Sequence, residues 1–142
     1  MKNKLKYLIK EFILFIIGGL LYYGIEVLWR GHSDFTMVIV GGICFVLIGG
    51  LNNWFTFEMG LIEQSLISSI IVTIIEYISG YILNIKLNLG IWEYSQIPFN
   101  LNGQICLLYS SLWILLSLIA IIVDDYIRYL IFHDKKPKYK II

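Results

Sequence analysis

Charge is scarce in this sequence. Asp, Glu, Lys and Arg make up 15% of its 142 residues, against about 25% in a soluble domain, so the chain cannot clothe itself in a water-facing surface. Cysteine is nearly absent. Cys44 and Cys106 both lie in apolar runs, with no spacing that suggests a disulfide or a thiolate metal site, and they read as small buried hydrophobes. The two histidines, His32 and His133, stand in a connection and in the tail. No His pair forms in one chain, and His32 reads as solvated. No cluster of His, Cys and carboxylate has metal-ligand spacing, so neither a metal nor a cofactor is expected. A phosphate loop, a serine elbow and a Cys–His pair are likewise missing. A formal net charge of +1 gives no reason to expect a nucleic-acid partner.

Apolar sequence is what the chain has in abundance: 58% of residues are hydrophobic and the mean hydropathy is +0.79. The long runs between the charged ends predict an all-α membrane protein, a four-helix transmembrane bundle forming one domain over residues 1–142. The expected spans are about 12–29, 37–55, 66–83 and 105–123. The first run is too long for a cleaved signal and lacks a small-residue cleavage site, so it reads as a retained span.

Four spans put both termini on one side. The terminal segments hold Lys2, Lys4, Lys6, Lys10, Arg128, Lys135, Lys136, Lys138 and Lys140, whereas the first and third connections hold only Arg30 and Lys86. By the positive-inside rule both termini are cytoplasmic in a cell membrane. The middle connection, Trp54–Gln64, carries Glu58, Gly60 and Glu63 and no basic residue.

The stretch Ile91–Trp113 organises the rest. Its first half mixes Trp92, Tyr94 and Phe99 with Gln96, Asn100, Asn102 and Gln104, and Pro98 and Gly103 break any continuous helix. An irregular, partly helical outer cap over Ile85–Gln104 is therefore expected between spans 3 and 4. Irregular backbone at membrane depth persists only where protein or water satisfies it. Trp92, Tyr94 and Trp113 also fit an outer aromatic belt, although the amides between them exceed what a belt requires.

Helical spacing aligns the remaining polar residues. Gly19, Tyr23, Glu26 and Arg30 share one stripe of span 1. Ser65, Ser69, Thr73, Glu76, Gly80 and Asn84 share one face of span 3, and Gly103, Ser110, Ser117 and Asp124 recur every seven residues on span 4. The pairs Gly41–Gly42 and Gly49–Gly50 on span 2, with Gly42 and Gly49 one heptad apart, predict close helix contact. Glu76 is the most informative residue. An acid near mid-span costs roughly 2.5–3.5 kcal/mol to insert, so it must face inward, be protonated or find a cation. It reads either as a packing acid or as a ligand, proton or catalytic site. Glu26 has Arg30 one turn away, a local i, i+4 pair, and an inward-turned Arg30 could also serve Glu76. Asp124 and Arg128 repeat the spacing at the cytoplasmic end, where they read as interface anchors or as a docking site. The expected substrate-binding set is Glu26, Arg30, Glu76, Asn84, Trp92, Tyr94, Asn100 and Gln104.

From Gly24 to Arg128 the order of motifs resembles the small type IV ABC-transporter permease family, the CmpB-like proteins. The matching pieces are IEVLWRGHS at Ile25–Ser33, M-x-x-x-GG-x-CF-x-x-IGG-x-N at Met37–Asn52, EYISGYILN at Glu76–Asn84, WEYSQIPFNLNGQICLLYSSLW at Trp92–Trp113 and DDYIR at Asp124–Arg128. Glu93 stands where Asp is more usual, and Asp34 where a second His is common. The resemblance implies transport, with an ATPase or another membrane subunit supplied separately. The remaining expected partners are the bilayer and a second copy of the chain.

Three functions are compatible with these residues. In a permease subunit, substrate would enter from the outer face and meet Arg30, Glu26 and Glu76 under the cap. In a membrane enzyme acting on a lipid or lipid-linked substrate at the outer leaflet, Glu26 and Glu76 would serve as acid and base, with Tyr94, Asn100 and Gln104 orienting the substrate. In a non-catalytic accessory subunit, the glycine pairs of span 2 would form the contact.

Overall fold

The computed structural model describes residues 1–55 and 59–142, with backbone alone at 52–55. Glu58 and the side chains of Asn52, Asn53 and Trp54 lie outside the described residues. Four helices account for most of the chain: α1 (Lys2–Arg30), α2 (Thr36–Phe55), α3 (Leu61–Gly80) and α4 (Leu107–Phe132). A π-helical turn, Tyr81–Lys86, extends α3. Three helical stretches, Lys2–Arg30, Leu61–Lys86 and Leu107–Phe132, are long and apolar enough to cross a membrane, and Thr36–Leu51 is a shorter apolar helix.

The boundaries differ from the expected spans in instructive ways. The lysine-rich start, Met1–Lys10, precedes the expected first span yet is helical from Lys2 onward. Its residues are good helix formers already joined to an apolar helix, so propagation costs little. α1 ends where Gly31 adopts φ 80° and donates its N–H to Val27 O at 2.8 Å, a left-handed cap that suits glycine. α2 is started by Asp34, whose Oδ1 accepts from Thr36 N at 2.9 Å and Thr36 Oγ1 at 2.6 Å.

The first turn of α3 has no side-chain cap. The chain's C-terminal tail takes that role: Leu61 N donates to Lys140 O at 2.6 Å and Ile62 N to Ile141 O at 3.2 Å. The basic tail is thus folded back as the acceptor for free helix N–H groups. Between α3 and α4 the chain is irregular, with left-handed residues at Asn88, Gly90, Phe99, Asn102 and Gly103. A two-residue hairpin, β1 (Asn100–Leu101) against β2 (Ile105–Cys106), pairs Asn100 with Cys106 and Leu101 with Ile105.

The glycines of α2 meet two different neighbours. A Cβ at Gly41 would strike Tyr22, and one at Gly42 would strike the Phe15 backbone and ring, both on α1. A Cβ at Gly49 would strike the Asp124 carboxylate on α4. Gly18 and Gly19 of α1 answer with the same closeness to Phe45 and to the Val38 backbone, so α1 and α2 pack through small residues on both sides. Ile48, Val72 and Ile121 form the core between α2, α3 and α4, with Cys44, Trp113, Ala120 and Tyr139 against it. Outward faces carry exposed Phe12, Leu20, Ile70, Leu115 and Leu130, as expected of helices whose outer solvent is lipid.

Candidate functional site

The polar stripe of α3 faces inward. Ser65, Ser69, Glu76 and Gly80 are buried, and Thr73 Oγ1 bonds Ser110 Oγ of α4 at 3.1 Å. Glu76 is 8% exposed. Its Oε1 accepts from Tyr94 OH and its Oε2 from Trp113 Nε1, both at 3.0 Å. Burial, followed by the charge of Glu76, raises the Tyr94 phenol well above its ordinary value, which keeps the hydroxyl a donor. Tyr94 is braced by Tyr109, stacked at 4.8 Å between ring centroids.

Glu26 is engaged by three neighbours. It accepts from Tyr22 OH at 3.1 Å, Arg30 Nη2 at 3.0 Å and Ser33 Oγ at 2.7 Å. Arg30 Nη1 donates to Ile91 O at 3.0 Å, which ties the α1 terminus to the α3–α4 segment. Among the described residues no cation pairs with Glu76. The Tyr22 ring lies 5.9 Å from that of Trp113, so the ring that bonds Glu26 packs against the ring that bonds Glu76.

The amides build the segment around these acids. Asn84 Nδ2 donates to Gln104 Oε1 at 2.9 Å, and Asn84 Oδ1 accepts from Ile91 N at 2.7 Å. Gln104 Nε2 donates to Asn102 O at 3.1 Å, and Trp92 Nε1 to Gln104 O at 3.0 Å. Asn100 donates to Ile97 O at 2.8 Å and accepts from Gly103 N at 3.0 Å. Trp92 and Gln104 crowd Gly80 so tightly that any side chain there would collide. Asn84 sits in the π-turn, the kind of helix irregularity that often re-aims side chains at functional sites.

A cavity of about 310 Å³ lies beside this network. Glu26, Glu76, Trp92 and Tyr94 line it together with Tyr22, Trp113 and Ser117, and most of the remaining wall is apolar. Of the expected set, these four reach the cavity. Arg30 holds Glu26, and Asn84, Asn100 and Gln104 hold the segment. Tyr22 and Trp113 are additions. Tyr22 is adjacent to the Tyr23 of the expected stripe. Trp113 carries no sequence mark that separates an indole bonding an acid from one in a belt. Among the described residues no group of three His, Cys, Asp or Glu could hold a metal ion.

A second polar cluster occupies the other end. Arg128, 3% exposed, forks onto Glu11 through Nη1 at 2.8 Å and Nη2 at 3.1 Å, and its Nε reaches Asp124 Oδ2 at 2.7 Å. Tyr139 OH donates to Asp125 Oδ2 at 3.0 Å, and Lys10 pairs with Asp134. The expectation that Asp124 and Arg128 anchor an interface or dock a partner therefore gives way to an internal ion cluster. The reason is Glu11, which draws Arg128 inward against α1.

A family model described as Putative ABC-transporter type IV matches residues 13–140. No curated protein and no solved structure matches the chain.

Proposed function

We propose a transport function on one premise: the chain belongs to the type IV ABC-transporter family. It is a membrane protein, and in our reading residues 1–142 form one integral unit of four spans in the cell membrane. Three spans are the long apolar helices; the fourth is α2, which connects the Arg30 end of the fold to the α3 start. Nine basic residues in the terminal segments against two in the first and third connections support cytoplasmic termini. The α3–α4 segment then forms an outward cap over the cavity.

The observation that carries the reading is Glu76, a buried carboxylate on a cavity wall, held by two neutral donors and free of a cation among the described residues. Substrate would pass under the cap, and Glu76 would be the group it engages. The sequence shows no phosphate loop, so nucleotide hydrolysis would come from a separate ATPase subunit. An acid–base pair of Glu26 and Glu76 is less well supported, since Glu26 is committed to Arg30, Tyr22 and Ser33.

The test begins with what co-purifies in mild detergent and continues with its uptake into proteoliposomes. We expect uptake by the natural chain with its partner ATPase, and uptake lower by at least about tenfold in a folded Glu76→Gln variant. Full uptake by that variant would move the site away from Glu76.

A further inference from the structure

We propose that the cavity binds an organic cation carrying an apolar body, with Glu76 as its counter-ion. This rests on the reading of the cavity as the transport site and names the substrate class that site would take.

Charge comes first. Glu76 and Glu26 are the two carboxylates on the cavity wall. Arg30 neutralises Glu26, and among the described residues no cation reaches Glu76. An acid buried among neutral partners is costly, and a cationic ligand would supply the missing charge. An anion would meet carboxylate on two sides.

Shape and lining come second. Tyr22, Trp92, Tyr94 and Trp113 all line the cavity, and aromatic walls around a carboxylate suit an alkylammonium or similar soft cation. A bare metal ion would leave about 310 Å³ of largely apolar space unused. Leu21 and Ile25 of α1 and Ile119 of α4 line the cavity and are also exposed, so its rim faces the lipid side, where an apolar body would already be dissolved. The wall also holds Ser117, 2% exposed, whose Oγ has no hydrogen-bond partner among the described residues. It lies four residues from Trp113, or ~6 Å along the helix, within reach of a hydroxyl or amide on the ligand body.

The experiment uses the full chain in nanodiscs, with empty nanodiscs as background, and equilibrium dialysis of three probes of similar shape. These are benzyltrimethylammonium, its neutral carbon isostere neopentylbenzene, and the anion phenylacetate. The expected result is saturable binding of the cation, at least about tenfold tighter than the isostere, and no binding of the anion. Glu76→Gln should erase the preference of cation over isostere, and Glu76→Asp should restore part of it. If Glu76→Gln fails to fold, as judged by circular dichroism and melting, the probe ranking in the natural chain decides alone. Equal binding of cation and isostere would overturn the cation class while leaving the cavity reading in place. No cation binding to folded protein would also overturn the proposal. Failure of the transport reading has a different signature: the cation binds as described but never crosses a proteoliposome membrane with the ATPase present.

Discussion

The two ends of this helix assembly handle buried charge in opposite ways. Around Arg128, one guanidinium is shared by Glu11 and Asp124 at 2.7–3.1 Å. It ties the start of α1 to the end of α4, while the C-terminal tail closes over Asp125 and the α3 start. Around Glu76 the partners are an indole and a phenol, the nearby cation is spent on Glu26, and a cavity opens alongside. A buried charge matched inside the protein is a fastener, whereas one matched only by neutral donors retains capacity for something from outside. On the function proposed above, the Arg128 end serves folding and the Glu76 end serves the ligand.

The largest effect should come from breaking the fastener. Arg128→Gln strands Glu11 and Asp124 in a buried site, at a cost of about 3–5 kcal/mol. Thermal melting in detergent should fall sharply, and much of the protein should fail to accumulate. Adding Glu11→Gln and Asp124→Asn to the same chain should recover most of the loss, because no unmatched charge then remains. A single Arg128→Gln variant that melts normally would mean that the cluster is decoration, and the contrast between the ends would collapse.

The second prediction attacks the other end. Glu76→Gln preserves shape: its amide oxygen can still accept from Trp113 Nε1, and its NH2 can donate to the Tyr94 hydroxyl, which turns to accept, so melting should shift little. Transport should nevertheless fall by about tenfold or more, equivalent to at least ~1.4 kcal/mol of lost interaction. A variant that unfolds instead would place Glu76 among the fasteners.

Part of this contrast was legible in the sequence. The inward faces of α3 and α4 follow from helical spacing, because polar residues on an apolar helix have to share a face. Ser65, Ser69, Thr73, Glu76, Ser117 and Asp124 all turned out so. The breaks at Pro98 and Gly103 were legible for the same local reason. Glu11 as partner of Arg128 was not. The two are 117 residues apart, and nothing local marks an acid near a lysine-rich start as the mate of a distant arginine. The tail's capping of α3 was hidden more deeply, since it uses backbone carbonyls of Lys140 and Ile141, which carry no side-chain signature. The roles of Asn84, Asn100 and Gln104 within their own segment depend on left-handed turns and a π-turn, whose composition resembles that of any polar loop.

Gly49 joins α2 to the fastener and gives the third prediction. A methyl there would overlap the Asp124 carboxylate, so Gly49→Ala must push Asp124 away from Arg128 or open the helix contact. The expected loss is about 1–3 kcal/mol of stability, typical of overpacking. Val46→Leu, on the same helix and only half-buried, should be nearly neutral. Equal melting of the two variants would show that α2 and α4 separate freely at that level.

The smallest effect belongs to the turn at the Glu76 end, where charge sits near the surface and is matched locally. Asp34 accepts from Thr36 N and Thr36 Oγ1, and these hydrogen bonds hold its carboxyl below the ordinary value of 3.8. A lowered value in the folded chain means that the contribution to stability is complete above that ordinary value and is lost as pH falls through the lower folded one. Asp34→Ala should cost about 1 kcal/mol, the usual size of a lost helix start, while Asp34→Asn should keep most of it. The natural chain should lose this increment on acidification, and the Asn variant should not, because an amide does not titrate. Melting of both proteins from neutral pH to well below the ordinary value of 3.8 measures the difference. Parallel curves would mean that the carboxylate contributes nothing beyond its shape. A difference much larger than a single cap would instead couple the turn to Glu26, through Ser33 and Arg30, and blur the line between the end that fastens and the end that binds.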